Sequence, residues 1–298
     1  MKYFEFTVKD FDLDHIFDCG QCFRWRKQKD GSYSGIACSR AVNMSFKPFG
    51  ESRFDGVLTI KTLGYYEDDD FEKIWNSYLD LKRDYSEIKH KLCENDEVIR
   101  AAIEYGGGIR ILKQELWETI ISFIISQNNN IPRIKGCIEN LAKNFGEKLD
   151  LKEALLEDES YEKVSKLAPY SLPSAEKLAS LTIDDLSIVK LGYRARYLIE
   201  TAKAVCERGL PTNYEELCRL CGVGPKVANC INLFGMNETS SFPIDVWVKR
   251  VMARLYDFDE NNLKGMQKFA AEKFGDLSGF AQQYLFYYIR SLDGEDNK

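Results

Sequence analysis

Two regimes of apolar spacing divide the chain. From Met1 to about Leu63, apolar residues alternate with polar ones or gather in short β-branched and aromatic runs, as in Ser32 to Cys38, Ala41 to Lys47 and Val57 to Leu63. Turn signals at Asp30-Gly31 and Pro48-Phe49-Gly50 separate these runs, so the pattern predicts an antiparallel sheet of several strands. From Phe71 onward, helical spacing takes over and persists to the end. The run Tyr105-Gly106-Gly107-Gly108 marks the expected boundary. The fold class is therefore α+β, with an amino-terminal sheet domain over 1–108 and a mostly α-helical region over 109–298.

Within the second region, a helix is expected from about Gln114 to Gln127, with Leu116, Trp117, Ile120, Ile121, Phe123, Ile124 and Ile125 on its inner side. It runs into Asn128-Asn129-Asn130, a loop in which asparagine side chains commonly bond the local backbone. Ile131-Pro132-Arg133 then opens an amphipathic helix through Ile134, Ile138 and Leu141. Further on, Leu191-Gly192-Tyr193-Arg194-Ala195-Arg196-Tyr197 lies between a helix capped near Thr182 and one through Leu198, Ala202 and Val205. A tyrosine beside arginines suits nucleic acid, because the ring can wedge between bases while guanidinium groups bond phosphates. A surface turn with snorkelling arginines reads equally well.

The stretch from Glu216 to Tyr256 organises the rest. Thr212 and Glu215 form a capping-box pattern, predicting a short helix from near Asn213 to Gly222. Pro225 suits the first turn of the next helix, so 213–235 reads as helix, hairpin, helix around Leu220-Cys221-Gly222-Val223-Gly224-Pro225-Lys226. Glycines let the hairpin amides point one way, which is how backbone grips phosphate. Lys226 and Cys230 share a helical face, while Val227, Ile231 and Phe234 turn to a core. Gly235 and Asn237 end that helix. Pro243-Ile244-Asp245 opens another, with Asp245 as N-cap and Val248, Val251, Met252 and Leu255 as its apolar stripe. A lysine beside such a hairpin can attack a sugar's anomeric carbon, and a nearby carboxylate can offset the charge that develops there. A solvated lysine and an ordinary cap are the plain alternative.

Composition adds limits. The chain of 298 residues has ordinary hydrophobic (44%) and charged (30%) fractions for a globular protein. No apolar run reaches membrane-spanning length, and Met1 to Glu5 lacks a signal-peptide pattern, so an intracellular protein without a membrane is expected. A net charge of -6 argues against indiscriminate coating of DNA. Acids gather at Glu67 to Asp70, Glu153 to Glu162 and Asp257 to Glu260; bases gather at Arg24 to Lys27, Arg133 to Lys135, Arg194 to Arg196 and Lys249 to Arg254. Nine cysteines, an odd number, argue against a disulfide framework. Cys19 with Cys22 and Cys218 with Cys221 have zinc-like spacing, but neither pair sits in a compact knuckle.

Four separated stretches occur in one order: Gly20-Gln21-Cys22-Phe23-Arg24-Trp25, Asn128 to Arg133, Leu191 to Arg196, and the Gly-Val-Gly-Pro-Lys hairpin followed by Pro243-Ile244-Asp245. In these, essentially the whole chain resembles the 8-oxoguanine DNA glycosylases, a branch of the helix-hairpin-helix DNA glycosylase superfamily. The resemblance implies a monomeric base-excision enzyme that flips 8-oxoguanine from duplex DNA, opposite cytosine, and excises it. Lys226 would be the nucleophile and Schiff-base former, with β-elimination following, and Asp245 its carboxylate partner. Lys226 would need a lowered pKa, from burial or nearby positive charge. The base would be read by the carbonyl of Gly20 and enclosed by Cys230, Pro243, Gln282 and Phe286, the last two from Ala281 to Phe286. Helical spacing alone would make Phe286 core and Gln282 exposed.

The same resemblance assigns Asn128 to the hole left by the base, Tyr193 to a wedge beside it, and Arg133 and Arg194 to the orphaned partner base. Amides around Gly222, Gly224 and Val227, with Lys249, would hold phosphate, and carbonyls of Cys218, Leu220 and Val223 would hold a structural cation. No cofactor is required, and the clustered carboxy-terminal cysteines that bind an iron-sulfur cluster in some relatives are missing. Trp247 stands where better-known members carry a histidine, and Pro132 adjoins Arg133. The competing readings are a glycosylase for another damaged purine, which would do without Lys226, and a non-catalytic hairpin module, which would not need Lys226 and Asp245 together.

Overall fold

In the computed structural model, which describes residues 2–94, 96–151 and 169–292, the alternation becomes a sheet. The acidic stretch from Glu153 to Glu162 lies outside the described residues. Among the described residues, β1 (Tyr3–Val8), β2 (Trp25–Lys27), β3 (Tyr33–Ala37), β4 (Arg40–Pro48) and β5 (Gly56–Thr62) form one antiparallel sheet in the order β1-β5-β4-β3-β2. Along β5 buried and half-buried residues alternate, with Leu58 and Ile60 fully inside, as a strand with one covered face requires. Trp25 pairs with Gly35 across β2 and β3, and a β-carbon at Gly35 would stand 2.2 Å from the indole. The missing side chain lets that ring lie flat and stack on Phe17 at 4.1 Å.

The sheet has its own core, including Phe11, Trp25, Leu58, Ile60 and Trp75. A larger core fills the helical part. Polar struts join the two. Buried Gln21 donates to the carbonyls of Ile16 (2.9 Å) and Arg110 (2.8 Å) and accepts from the Leu112 amide (2.9 Å). The Gln114 side chain donates to the Gln21 carbonyl at 2.7 Å, while the Gln114 amide donates to the Phe234 carbonyl at 3.1 Å. One glutamine thus fixes the Gly20-Gln21 motif against the end of the lysine-bearing helix.

The helices follow. α1 (Leu13–Phe17) lies in the sheet domain; α2 (Tyr85–Cys93) and α3 (Glu97–Gly106) lead to α4 (Leu116–Ser126), buried on every side from Thr119 to Ile125. α5 (Ile131–Phe145) is capped by Asn130, whose side chain accepts from the Arg133 amide. α6 (Ala175–Ala179) precedes a 3-10 turn, Asp185–Val189, so the helix expected near Thr182 is a shorter element. Thr182 and Asp185 cap it reciprocally, each accepting the other's amide hydrogen. α7 (Arg194–Arg208) follows.

α8 (Tyr214–Cys218) and α9 (Pro225–Gly235) are the two helices of the hairpin. The capping box sits one residue later than Thr212 and Glu215. Asn213 accepts from the Glu216 amide at 2.9 Å, and the Glu216 carboxylate takes the Thr212 amide and hydroxyl at 2.8 and 3.1 Å. Asparagine outranks threonine as an N-cap, and the longer reach of Glu216 then serves the preceding residue. The turn closes with Val223 donating to the Leu220 carbonyl at 3.1 Å, Gly222 adopting φ +78. α10 (Val246–Tyr256), α11 (Leu263–Phe274) and α12 (Ser278–Leu292) complete the layer, and α12 is buried continuously from Ser278 to Tyr287.

Candidate active site and DNA-facing surface

Lys226 occupies the first turn of α9, where Pro225 starts the helix; Cys230 and Phe234 follow at successive turns of the same face. Asp245 caps α10 through Oδ1, which accepts the amides of Trp247 and Val248 at 2.9 Å each. These groups line one cavity with Pro243, Gly20 from the sheet domain, and Gln282 and Phe286 from α12. Every residue assigned by sequence to catalysis or base recognition faces this chamber. Gly20 has φ +77, and a β-carbon there would lie 3.0 Å from the Phe286 ring. Gln282 is 5% exposed, not the surface residue its spacing suggests, because the opposite face of α12 is covered too. Its Oε1 is buried and accepts no hydrogen bond among the described residues. The chamber holds about 50 Å³, room for a few waters. The Arg290 guanidinium lies 5.5 Å from the Phe286 centroid.

Electrostatics reverse one expectation. Burial is the largest influence on Lys226 and favours its neutral amine, but Cys230 and Asp245 favour the ammonium and together raise it above the usual lysine value. Burial raises the Asp245 carboxyl, opposed by the Val248 amide and Lys226. It also raises the Cys230 thiol. The ammonium rests 5.7 Å from the Phe123 ring centroid, and Phe123 stacks on Phe234 at 5.5 Å. Among the described residues no cation opposes the proton on Lys226, and the Asp245 carboxylate favours it.

The residues assigned to DNA divide. Asn129 donates to the Ile125 carbonyl and Asn130 caps α5, so both serve the backbone locally. Asn128 is exposed with φ +45. Arg194 is buried and donates to the carbonyls of Leu191 (3.1 Å), Asn128 (2.9 Å) and Gln127 (2.9 Å from Nε). Tyr193 is 51% exposed, and the Arg194 guanidinium stacks 4.5 Å from its centroid. Arg133 is exposed on the first turn of α5, beside the asparagine loop. On the first turns of α10, Val246 is exposed, Lys249 half-buried, and Arg250 lies 4.5 Å from the Trp247 centroid. Gly224 is exposed and Val227 buried beside the hairpin turn. The Leu220 carbonyl spends one lone pair on Val223. Cys218 is exposed, Cys19 and Cys22 are buried, and all are free thiols.

Cys19, Phe123, Phe234 and Gln283 also line the chamber. Spacing marks both phenylalanines as apolar interior without saying which cavity they meet. Gln283 carries no signal, since a polar residue next to Gln282 reads as surface.

A hairpin with two glycines, a lysine at the next helix start and a capping aspartate in one chamber define a base-excision protein of the helix-hairpin-helix class. Residues 3–120 match the family model described as 8-oxoguanine DNA glycosylase, N-terminal domain, and residues 121–275 that of the HhH-GPD superfamily of base excision DNA repair proteins. A probable N-glycosylase/DNA lyase of Methanothermobacter thermautotrophicus is 27% identical over 301 residues, covering 95% of each chain. The 8-oxoguanine glycosylase/lyase of Clostridium acetobutylicum in its apo form is 40% identical, with a TM-score of 0.82 over 97% of this chain and 96% of that one. The same enzyme in complex with double-stranded DNA containing cytosine opposite 8-oxoG gives 39% identity and a TM-score of 0.83, over 98% and 99%. The chain belongs to the 8-oxoguanine DNA glycosylase family, whose members combine N-glycosylase and DNA lyase activities.

Proposed function

We propose that this protein extrudes 8-oxoguanine from duplex DNA opposite cytosine and excises it through Lys226. The convergence of Lys226 and Asp245 with Gly20, Cys230, Pro243, Gln282 and Phe286, drawn from three separated parts of the chain, carries the reading. The N7 hydrogen of 8-oxoguanine would donate to the Gly20 carbonyl; guanine would set a lone pair against it, a mismatch of about 1–3 kcal/mol. Lys226, once deprotonated, attacks C1′ as the glycosidic bond breaks, and Asp245 stabilises the positive charge on the sugar. Ring opening gives the imine, and loss of a proton from C2′ expels the 3′ phosphate. Asn128 and Tyr193 fill the vacated stack, and Arg133 and Arg194 face the orphaned cytosine, Arg194 from its seat on the loop carbonyls. The hairpin amides with Lys249 hold phosphate. The carbonyls of Cys218, Leu220 and Val223 would hold a cation that pins the turn; among the described residues no cluster of three His, Cys, Asp or Glu offers another metal site. The protein acts inside the cell as a monomer and requires no cofactor.

Borohydride trapping on a duplex with one 8-oxoguanine opposite cytosine tests the mechanism. Wild type is expected to give a covalent band and Lys226→Gln none. Base release without a band would replace the lysine by water as nucleophile, and neither release nor band would return the protein to another lesion or to binding alone.

A further inference from the structure

The start of α7 touches three elements at once. The hairpin rests against Tyr197: a β-carbon at Gly222 would stand 2.4 Å from Cδ2 and 2.5 Å from Cγ of that ring, so only a glycine lets the turn backbone pack this close to the side chain. One helical turn later, the buried Thr201 hydroxyl donates to the Cys221 carbonyl at 3.1 Å. One turn earlier, Tyr193 meets Tyr197 edge-to-face, with ring centroids 5.4 Å apart and planes at 69°. Arg194 stacks on Tyr193 and, through its bonds to the carbonyls of Gln127 and Asn128, ties in the asparagine loop. A continuous series of contacts therefore runs from the hairpin, which precedes Lys226, to the exposed wedge.

We propose that Tyr197 is a positioning residue: its ring sets the spacing between the hairpin that holds the strand beside Lys226 and the Tyr193–Asn128 wedge, so that base extrusion depends on it. This rests on the base-flipping reading given above. Extrusion replaces stacking and pairing with protein contacts, and those contacts must form at a fixed distance from the phosphate that the hairpin holds. Without the ring, Gly222 loses its floor and Tyr193 loses its lateral support, and the two ends of the gap move independently. The sugar is less often delivered to Lys226, whose own surroundings at Phe123, Cys230 and Asp245 do not include Tyr197.

Two duplexes separate this role from simple support of the fold. One carries 8-oxoguanine opposite cytosine. The other carries a preformed abasic site opposite cytosine, with no base to unpair. With full-length Tyr197→Ala at saturating enzyme, single-turnover release of 8-oxoguanine is expected to fall about thirtyfold, while borohydride trapping on the abasic duplex falls less than about threefold. Tyr197→Phe, which keeps the ring, is expected to rescue release to within about threefold of wild type. Equal losses on both duplexes would overturn the proposal and make the ring a prop for the lysine. No loss on either, or failure of the phenylalanine rescue, would overturn it as well. A wild type that traps on the abasic duplex but releases no 8-oxoguanine would sink the lesion assignment instead. The ratio between variant and wild type is then read on a duplex from which the wild type does release a base, where the same disparity is expected.

Discussion

At Asp245, Oδ1 takes both capping bonds, so capping and charge can be separated by substitution. Asparagine keeps a capping oxygen but loses the charge. Asp245→Asn is expected to leave thermal stability within about 1 kcal/mol of wild type and to lower base release by about a hundredfold. Asp245→Ala should lose a further ~1 kcal/mol of stability, measured by denaturant titration. For Lys226 the sign runs against the ordinary expectation for a buried amine. Its pKa is raised, so the neutral fraction at pH 7 is small and grows tenfold per pH unit until that pKa is reached. The initial rate of borohydride trapping should therefore climb through pH 7 to 9, and a flat profile would show that deprotonation of Lys226 does not limit the reaction. Sequence reading brought Lys226, Cys230 and Asp245 together by spacing and resemblance. It expected a lowered pKa and so missed the direction of the shift, because that depends on which charges tertiary packing places beside the amine.

Among the elements, β3, β4 and β5 were legible to within a residue or two because one-sided burial imposes a period of two. α4, α5 and α9 were legible because their apolar faces are long. The hairpin cap slipped by one position, since Thr212, Asn213, Glu215 and Glu216 offer overlapping boxes and only the folded backbone chooses. The struts stayed hidden for another reason. Gln21 and Gln114 are polar, and polar residues read as surface, yet both are buried at the seam between the two cores. Gln21→Leu would strand the Leu112 amide and the carbonyls of Ile16 and Arg110. A loss of about 2–4 kcal/mol in unfolding free energy is expected, read from the denaturation midpoint; no change would mean that the seam repacks.

For the molecule as a whole, one group through which pH acts is Glu118 on α4. Burial first, then Glu115 and Glu139, raise its carboxyl from 4.5 to about 7, against the pull of Arg24. A carboxyl whose folded pKa lies above its unfolded one holds its proton better when folded. Its penalty is absent below about pH 4.5, builds as pH rises and is complete above about pH 7. Glu118→Gln should therefore stabilise the protein by about 1–3 kcal/mol at pH 8 and leave it little changed at pH 4.5, as followed by thermal midpoints across that range. The chamber has a different reach across the molecule, because Gly20 and Phe286 lie against each other although far apart in the sequence. During synthesis the hairpin and its lysine leave the ribosome before the wall formed by Gln282 and Phe286 has been made. A partly made chain that stops before that wall thus carries the hairpin lysine without its finished chamber.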